Sequence, residues 1–536
     1  MLIRRTGYLA AKTFLVIGLT FFPICGLKAS IEDVATTLSA PGGLIVAGQI
    51  LDQDRLRSFY SARGYALVWD TSDSVREART TAVLDTLRAA LTEGLEPTDY
   101  HIEQIDALAT ATTDKERLDR DFLITDGVLR YAGDVSGGKL MPGQTDERTA
   151  TKPTLNAVDW LNAAISLDPT ALTAKLASLP PTDGLYSALK IKLTQLRGIA
   201  AAGSWPVLPE GGSIHPNGHD SAVPALRLRL LAEGYLTAQQ GIAPVKDADL
   251  YGLELASGVA RFQADHGIKP DGVIGKDTRL ALNMSVEARI DQVVVNLERA
   301  RWIDIPLSGR MVEVNLPGYS LKVYQDGKPV MAMPVVVGNP DHPTPILATR
   351  ITNVILNPTW TLPPVVLKEL APKIRADADY LAEKGIERQG DRLVQPAGPS
   401  NPLGRYKFVM PNDQDIYLHD TSEPGKFRYV LRAYSHGCVR LGDPASLAAL
   451  LLDDQIAKLP ASLDDLVQTG ETRQIGLSKP VPVSLVYRTA WLDADGHLVT
   501  GGDIYKRDSR LWVALHKPRP AAASSALNNA RPSRVL

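Results

Sequence analysis

Beyond its first thirty residues the chain carries a single cysteine, Cys438, in Ser435-His436-Gly437-Cys438-Val439-Arg440. A second histidine, His419, lies nineteen positions upstream of it in Tyr417-Leu418-His419-Asp420. The chain opens with an export signal, so its destination is oxidising, and a structural disulfide there needs a second cysteine. None is left within the mature chain. A lone thiol beside a glycine, with two histidines nearby, reads as a nucleophile. A thiol attacks a carbonyl as thiolate, so its pKa must be lowered or a base must lie alongside. Gly437 lets the backbone turn tightly beside the sulfur. The N–H groups of Gly437 and Cys438 are the expected donors to a developing oxyanion, where one such donor is worth about 3–4 kcal/mol.

These residues need elements to hold them. Strands are expected at Tyr406 to Met410 and Ile416 to His419, and a helix from Asp443-Pro444 with Asp443 as N-cap and Pro444 in the first turn. His419 then ends a strand and Cys438 precedes the helix, with a loop of about fifteen residues to join them at modest entropic cost. Earlier strands are expected at Met311 to Asn315, Ser320 to Tyr324, Met331 to Val337 and Arg350 to Leu356. Residues 365–385 turn helical, which implies a cap inserted at about 360–400. Two late strands, near Val483–Leu492 and His497–Asp503, flank the Asp495-Gly496 turn. Asp493-Ala494-Asp495-Gly496 lacks the remaining ligands of a calcium loop and reads as that hairpin turn. His342, between Asp341 and Pro343, is expected in a loop.

Upstream, residues 40–205 read as helical, from the spacing of Val83, Leu84, Leu87 and Leu91 ahead of Gly94, and from Leu185, Leu189, Ile191, Leu193 and Leu196. Residues 203–221, rich in Gly, Pro, Ser and His, read as a loop or linker with His215 and His219 solvated. A compact three-helix unit is expected over 220–284. Residues 519–536 read as a disordered tail.

Residues 1–29 read as a signal peptide or N-terminal anchor: Arg4, Arg5 and Lys12 precede an apolar run from Phe14 to Phe22, with Pro23 and Ala29 following. No later run approaches the roughly twenty apolar residues of a spanning helix. Without Arg4, Arg5, Lys12 and Lys28, the 58 basic residues fall to 54 against 60 acidic. Nothing in that balance calls for nucleic acid as a partner. The remaining length is too great for one core and implies several domains.

The phrase from His419 to Ser435-His436-Gly437-Cys438 resembles the L,D-transpeptidase family, whose signature is a histidine, a gap of about fifteen residues, then Ser/Thr-His-Gly-Cys. Arg440 stands where that family usually has Asn, but His-Gly-Cys-Val-Arg resembles its large Gram-negative branch. The likeness extends to Asn357-Pro358-Thr359-Trp360, Asn401-Pro402-Leu403-Gly404, Phe59-Tyr60 and Gly94-Leu95-Glu96-Pro97. Phe262-Gln263-Ala264-Asp265-His266-Gly267 and Pro270-Asp271-Gly272-Val273-Ile274-Gly275 resemble the three-helix peptidoglycan-binding module of cell-wall enzymes. The resemblance implies a multidomain protein: an α-helical scaffold domain, a peptidoglycan-binding module, and a mainly β (α+β) catalytic domain over 310–518 with a helical cap.

It implies Cys438 as nucleophile, His419 as its base, and Ser435, His436 and Gly437 as the site loop. Tyr417 and Trp360 are expected to line the substrate. Arg440 either holds a substrate carboxylate or locks the loop. The implied reaction takes a peptidoglycan tetrapeptide stem as donor, releases D-alanine, leaves a thioester on Cys438 and passes it to another stem as a 3→3 cross-link. With water as acceptor the same machinery is an L,D-carboxypeptidase; without chemistry the chain is a wall-binding scaffold. The resemblance also implies acylation by carbapenems, glycan strands as partners of the 220–284 module, a periplasmic location, and neither cofactor nor metal. His419, His436 and Cys438 are zinc-ligand types, but further cysteine or histidine partners are lacking nearby.

Overall fold

A computed structural model describes residues 31–69, 73–147, 155–241, 246–302, 308–493 and 495–519. The export segment and nearly all of the expected tail lie outside them. Among the described residues no helix is long and apolar enough to cross a membrane.

The N-terminal part is helical, with one short hairpin of Leu44–Val46 against Gln49–Leu51. Its longest helix, Asp114–Gly137, starts at a capping box in which Thr113 and Glu116 satisfy each other's backbone N–H. The 286–302 stretch carries no element in the sequence reading, yet it is a helix, Val286–Trp302, and joins the other parts together. Its apolar period is masked because charged residues are buried along with the aliphatic ones. Arg299 pairs with Glu147 at 2.8 Å and Asp508 at 2.6 Å, and Arg301 pairs with Glu298 at 3.1 Å. Glu298 also accepts from the Leu140 N–H and the Trp302 indole. Gly138 is required there: a Cβ would sit 2.5 Å from Trp302 Nε1. On the opposite side, Asn296 bonds Thr489 at 2.7 Å and Ala490 at 3.1 Å, fixing the helix to the hairpin Ala490–Leu492/Leu498–Thr500.

Three helices, Val223–Ala232, Leu253–Asp265 and Lys276–Leu282, form the compact unit around Leu226, Leu230, Val259 and Phe262. The buried Gln263 amide donates to Val273 O and Thr278 Oγ1, and its oxygen accepts from Gly272 N–H at 2.8 Å. That explains the ordered phrase 262–275. The preceding segment is no free linker. Arg279 bonds the Pro209 and Gly212 carbonyls at 2.6 and 2.7 Å, and Ile214 bridges Ile274, so the segment straps this unit.

The C-terminal part is built on nine strands: β1 (Arg310–Asn315), β2 (Ser320–Gln325), β3 (Lys328–Gly338), β4 (Leu347–Leu356), β5 (Tyr406–Val409), β6 (Leu418–His419), β7 (Ala433–Ser435), β8 (Val439–Leu441) and β9 (Arg473–Val486). They run in the order β7-β3-β8-β6-β5-β4-β9-β1-β2, and β2 also pairs with β3, so the sheet closes on itself. Strand β3 makes the closure. Residues 328–334 pair with β2, and Val335–Gly338 turn to pair with β8 and β7. The burial follows: the first half is mostly exposed and the second wholly buried.

Helix Pro444–Leu451 packs Leu447, Ala448 and Leu451 into the sheet's core, and Asp443 caps it by accepting from Ser446 N–H. Strand β9 is longer than the 483–492 expected, because it runs past a bulge between Gly476 and Val481 and ends before the Tyr487–Thr489 break.

Between β4 and β5 lies the cap. It holds helix Pro364–Ala376, the turn of helix Tyr380–Glu383, and a small sheet of Trp360–Thr361, Arg392–Gln395 and Glu387–Gln389. It has its own apolar cluster of Leu362, Ile386 and Leu393 with Trp360, Leu367 and Leu370, separate from the main core.

Candidate active site

Strand register assembles the site. On β5, β6 and β8, Lys407 lies opposite His419 and His419 opposite Arg440, so the three share one face. Because side chains alternate, Tyr417 and Cys438, two positions earlier on their segments, belong to that face too. The intervening Phe408, Leu418 and Val439 turn inward and are fully buried. Cys438 and His419 are thus held by hydrophobic anchoring of every second residue.

His419 is buried, and its Nδ1–H donates to the Asp420 carbonyl at 2.5 Å. That bond leaves Nε2 as the acceptor. Asp420 is itself fixed: its carboxylate accepts from Arg405 N–H and Thr421 N–H, both at 2.7 Å, and its N–H donates to Tyr406 O. Burial, then the Arg440 and Lys407 cations, push the imidazole down to about 3, so it is neutral at any physiological pH.

Cys438 is a half-buried free thiol, donating to the Asp415 carbonyl at 3.8 Å. Tyr417 faces the sulfur with both its main chain and its hydroxyl. Burial raises the thiol above its ordinary value, against the opposing pull of Tyr417 and of the Lys407 ammonium. Lys407 is half-buried with its Nζ 3.7 Å from the centre of the Tyr417 ring. The Tyr417 and His419 ring centres are 5.6 Å apart. Thiol and imidazole therefore lie on one sheet face, both neutral, with Tyr417 beside each.

The loop around the sulfur differs from expectation in one respect. Gly437 takes the left-handed region at φ +116°, as expected of a tight turn. Its N–H, however, donates to Ser435 Oγ at 3.1 Å, and Ser435 Oγ donates to the Cys438 carbonyl at 2.5 Å. Of the two expected donors, the Gly437 N–H is thus already engaged within the loop, whose shape Ser435 serves. Thr344 fixes the loop from behind, donating to Gly437 O at 2.7 Å and accepting from Gly338 N–H at 2.8 Å.

Arg440 pairs with Glu423 at 2.7 Å, and Glu423 with Lys426 at 2.8 Å. Its partner is thus a carboxylate of the 420–428 loop, neither of the two partners expected for it, a substrate carboxylate or backbone carbonyls. His436 points away from the thiol toward the cap, where Glu369 of helix Pro364–Ala376 accepts from its Nε2–H at 3.0 Å. Trp360 packs in the cap's apolar cluster, whereas Cys438 packs against the main sheet's core. Sequence reasoning missed Lys407, Glu369, Glu423 and Thr344. Only register or tertiary placement brings them here; in the sequence, Lys407 within an apolar strand was the one available signal.

Three family models match the chain: an "L,D-transpeptidase catalytic domain" over residues 309–473, a "Scaffold domain" over 54–193 and a "Putative peptidoglycan binding domain" over 219–282. Together with the closed sheet and its cysteine–histidine face, they define a multidomain protein with a mainly β catalytic domain. By that match, residues 309–473 resemble an L,D-transpeptidase catalytic domain. A relative from Haemophilus influenzae, named "Putative L,D-transpeptidase", is 33% identical over 253 residues, covering 43% of this chain and 51% of the relative. The chain thus spans about half the length of that curated relative.

Among solved structures, an L,D-transpeptidase from Xylanimonas cellulosilytica is 18% identical with a TM-score of 0.16, over 52% of this chain and 98% of the other. The catalytic domain of an L,D-transpeptidase from E. faecium is 18% identical with a TM-score of 0.19, over 33% and 97%. At such TM-scores these two likenesses carry no weight for the fold.

Proposed function

We propose that the chain is an L,D-transpeptidase of the cell envelope that forms 3→3 peptidoglycan cross-links through a thioester on Cys438. The observation that carries the reading is the parallel pairing of β6 with β8. It sets His419, with its Nδ1 tied to a carbonyl, on the same face as the thiol, with Tyr417 beside both. The neutral imidazole takes the thiol proton as sulfur attacks the carbonyl at the L-centre of the stem's third residue. The oxyanion then meets the Cys438 N–H and the Tyr417 hydroxyl. Collapse breaks the peptide bond, and the imidazolium gives its proton to the departing D-alanine amine. The amine of a second stem attacks the thioester, loses a proton to His419, and expels the sulfur, which regains its proton.

The same reading makes 220–284 the unit that holds glycan strands, 40–205 the scaffold and 310–518 the catalytic domain. Residues 1–29 then direct the chain to the periplasm or anchor it there.

Purified protein incubated with tetrapeptide stems is expected to release D-alanine and give 3→3 dimers by mass spectrometry, both abolished in Cys438→Ala. Tripeptides without dimers would identify a carboxypeptidase instead. Full activity in Cys438→Ala would overturn both assignments.

A further inference from the structure

His436 belongs to the catalytic loop, yet its ring meets two partners that the reaction does not use. Glu369 Oε2 lies 3.0 Å from His436 Nε2, and Glu369 Oε1 lies 3.5 Å from His342 Nε2. The two imidazoles are tilted at 31° with centres 5.3 Å apart. One ligand atom from each of the three residues lies within 4.8 Å of the other two.

We infer that His342, Glu369 and His436 form a site for a divalent transition metal of the zinc class, which clamps the cap onto the catalytic loop. Two neutral imidazoles and one carboxylate are a zinc-binding set when water takes the fourth position. Zinc–ligand distances of about 2.0–2.2 Å place tetrahedral ligands about 3.4 Å from one another. From the single oxygen Glu369 Oε1, the His436 and His342 Nε2 atoms lie at 3.2 and 3.5 Å, already close to that value. Metal entry needs the ligand atoms to close to that spacing and the His436 ring to carry its hydrogen on Nδ1, which frees Nε2 to coordinate. The side chains are 34%, 48% and 37% exposed in the order 342, 369, 436, so both entry and a bound water have room.

Two of the ligands are held in advance. The His342 N–H donates to Asn339 Oδ1 at 2.8 Å, and the Asn339 N–H donates to the Ser435 carbonyl, one residue before His436, at 2.9 Å. Thr344 and Gly338 tie the same loop to Gly437. The third ligand comes from helix Pro364–Ala376, which has no buried residue. Among the described residues that helix's polar contacts to the rest of the domain run through Glu369. A metal there would replace one hydrogen-bonded contact with a three-ligand bridge from cap to loop. The inference does not rest on the reaction assigned to Cys438.

The test titrates the chelator-treated full chain with Zn²⁺ in competition with a chromogenic chelator. A zinc equivalent is expected that Cys438→Ala retains and that His342→Ala and Glu369→Ala each weaken by about tenfold or more. His497→Ala is a control, because Asp493, Asp495 and His497 form a second group of ligand types at a hairpin turn. Zinc affinity unchanged in both His342→Ala and Glu369→Ala, or lost in Cys438→Ala or His497→Ala, would overturn the site. Hydrogen exchange supplies the second readout: zinc is expected to slow exchange across 364–376 in the parent chain and in Cys438→Ala, but not in Glu369→Ala. Exchange there that ignores zinc in the parent chain would overturn the clamp. Circular dichroism of each variant separates loss of the ligand from loss of fold.

Discussion

The depressed His419 imidazole makes a quantitative demand on the pH profile of acylation. Moving its pKa from the ordinary 6.5 to about 3 makes protonation harder by about 5 kcal/mol, at ~1.36 kcal/mol per tenfold. The base must be neutral to accept the thiol proton, so activity is lost only as pH falls through its folded pKa. An imidazole with the ordinary value would be only ~3% neutral at pH 5, and acylation would slow about 30-fold between pH 8 and pH 5. Here less than about a twofold change is expected over that range. The assay is the second-order rate of carbapenem adduct formation at Cys438, followed by intact mass from pH 4.5 to 8. Arg440→Gln removes the second cause of the shift and is expected to move the acid limb upward, while burial, the larger cause, keeps it below 6.5. An acid limb in the parent protein centred between pH 6 and 7 would refute the neutral-pair reading.

Further tests probe the groups around this pair. Lys407→Met removes a cation that favours the thiolate, so the pH midpoint of Cys438 alkylation by iodoacetamide should rise; an unchanged midpoint would count against contact between the ammonium and the sulfur. Thr344→Val leaves the Gly338 N–H and Gly437 carbonyl without their shared partner and should cost about 1–3 kcal/mol in urea unfolding, whereas a loss near zero would mean the loop is held otherwise. Gly404 sits at φ +61° with its would-be Cβ 2.4 Å from the Asp420 carboxylate. Gly404→Ala should therefore displace the residue whose carbonyl orients His419 and slow acylation by about tenfold or more in a folded protein; parent-like rates would show that Asp420 is dispensable.

How much of this was readable in the sequence depended on whether the chemistry was local. Cys438, His436 and Gly437 are neighbours in the chain, and His419 is one loop away, so residue type and spacing were enough. The strands carrying them alternate or run apolar, and Asp443-Pro444 announces its helix. Lys407 is different: it reaches the thiol only because β5 pairs with β6 in one particular register, and register is not visible in a single strand. Glu369 meets His436 across 67 residues through the placement of a whole cap. Helix Val286–Trp302 escaped notice for another reason. Its buried face holds Arg289, Glu298, Arg299 and Arg301, so a search for apolar periodicity passes over it. Spacing also gave no sign that Ser435 Oγ would take the Gly437 N–H.

The site's charges bear on when the thiol becomes reactive. Two cations, Lys407 and Arg440, flank a buried imidazole, and the sulfur beside it is pushed toward its protonated form. Arg440 is already paired with Glu423, whereas Lys407 rests its ammonium on the Tyr417 ring. Negative charge appearing at the sulfur or at an adjacent oxyanion would therefore find a nearby, unspent cation and the Tyr417 hydroxyl. Those interactions are worth little while the thiol is neutral and most when charge develops, which is the condition for lowering a barrier without tightening the resting complex. The protonated resting state also spares the cysteine. A thiolate fraction below that of an ordinary thiol limits its oxidation. Replacing Lys407 should accordingly lower the rate of acylation more than the affinity for the acylating ligand.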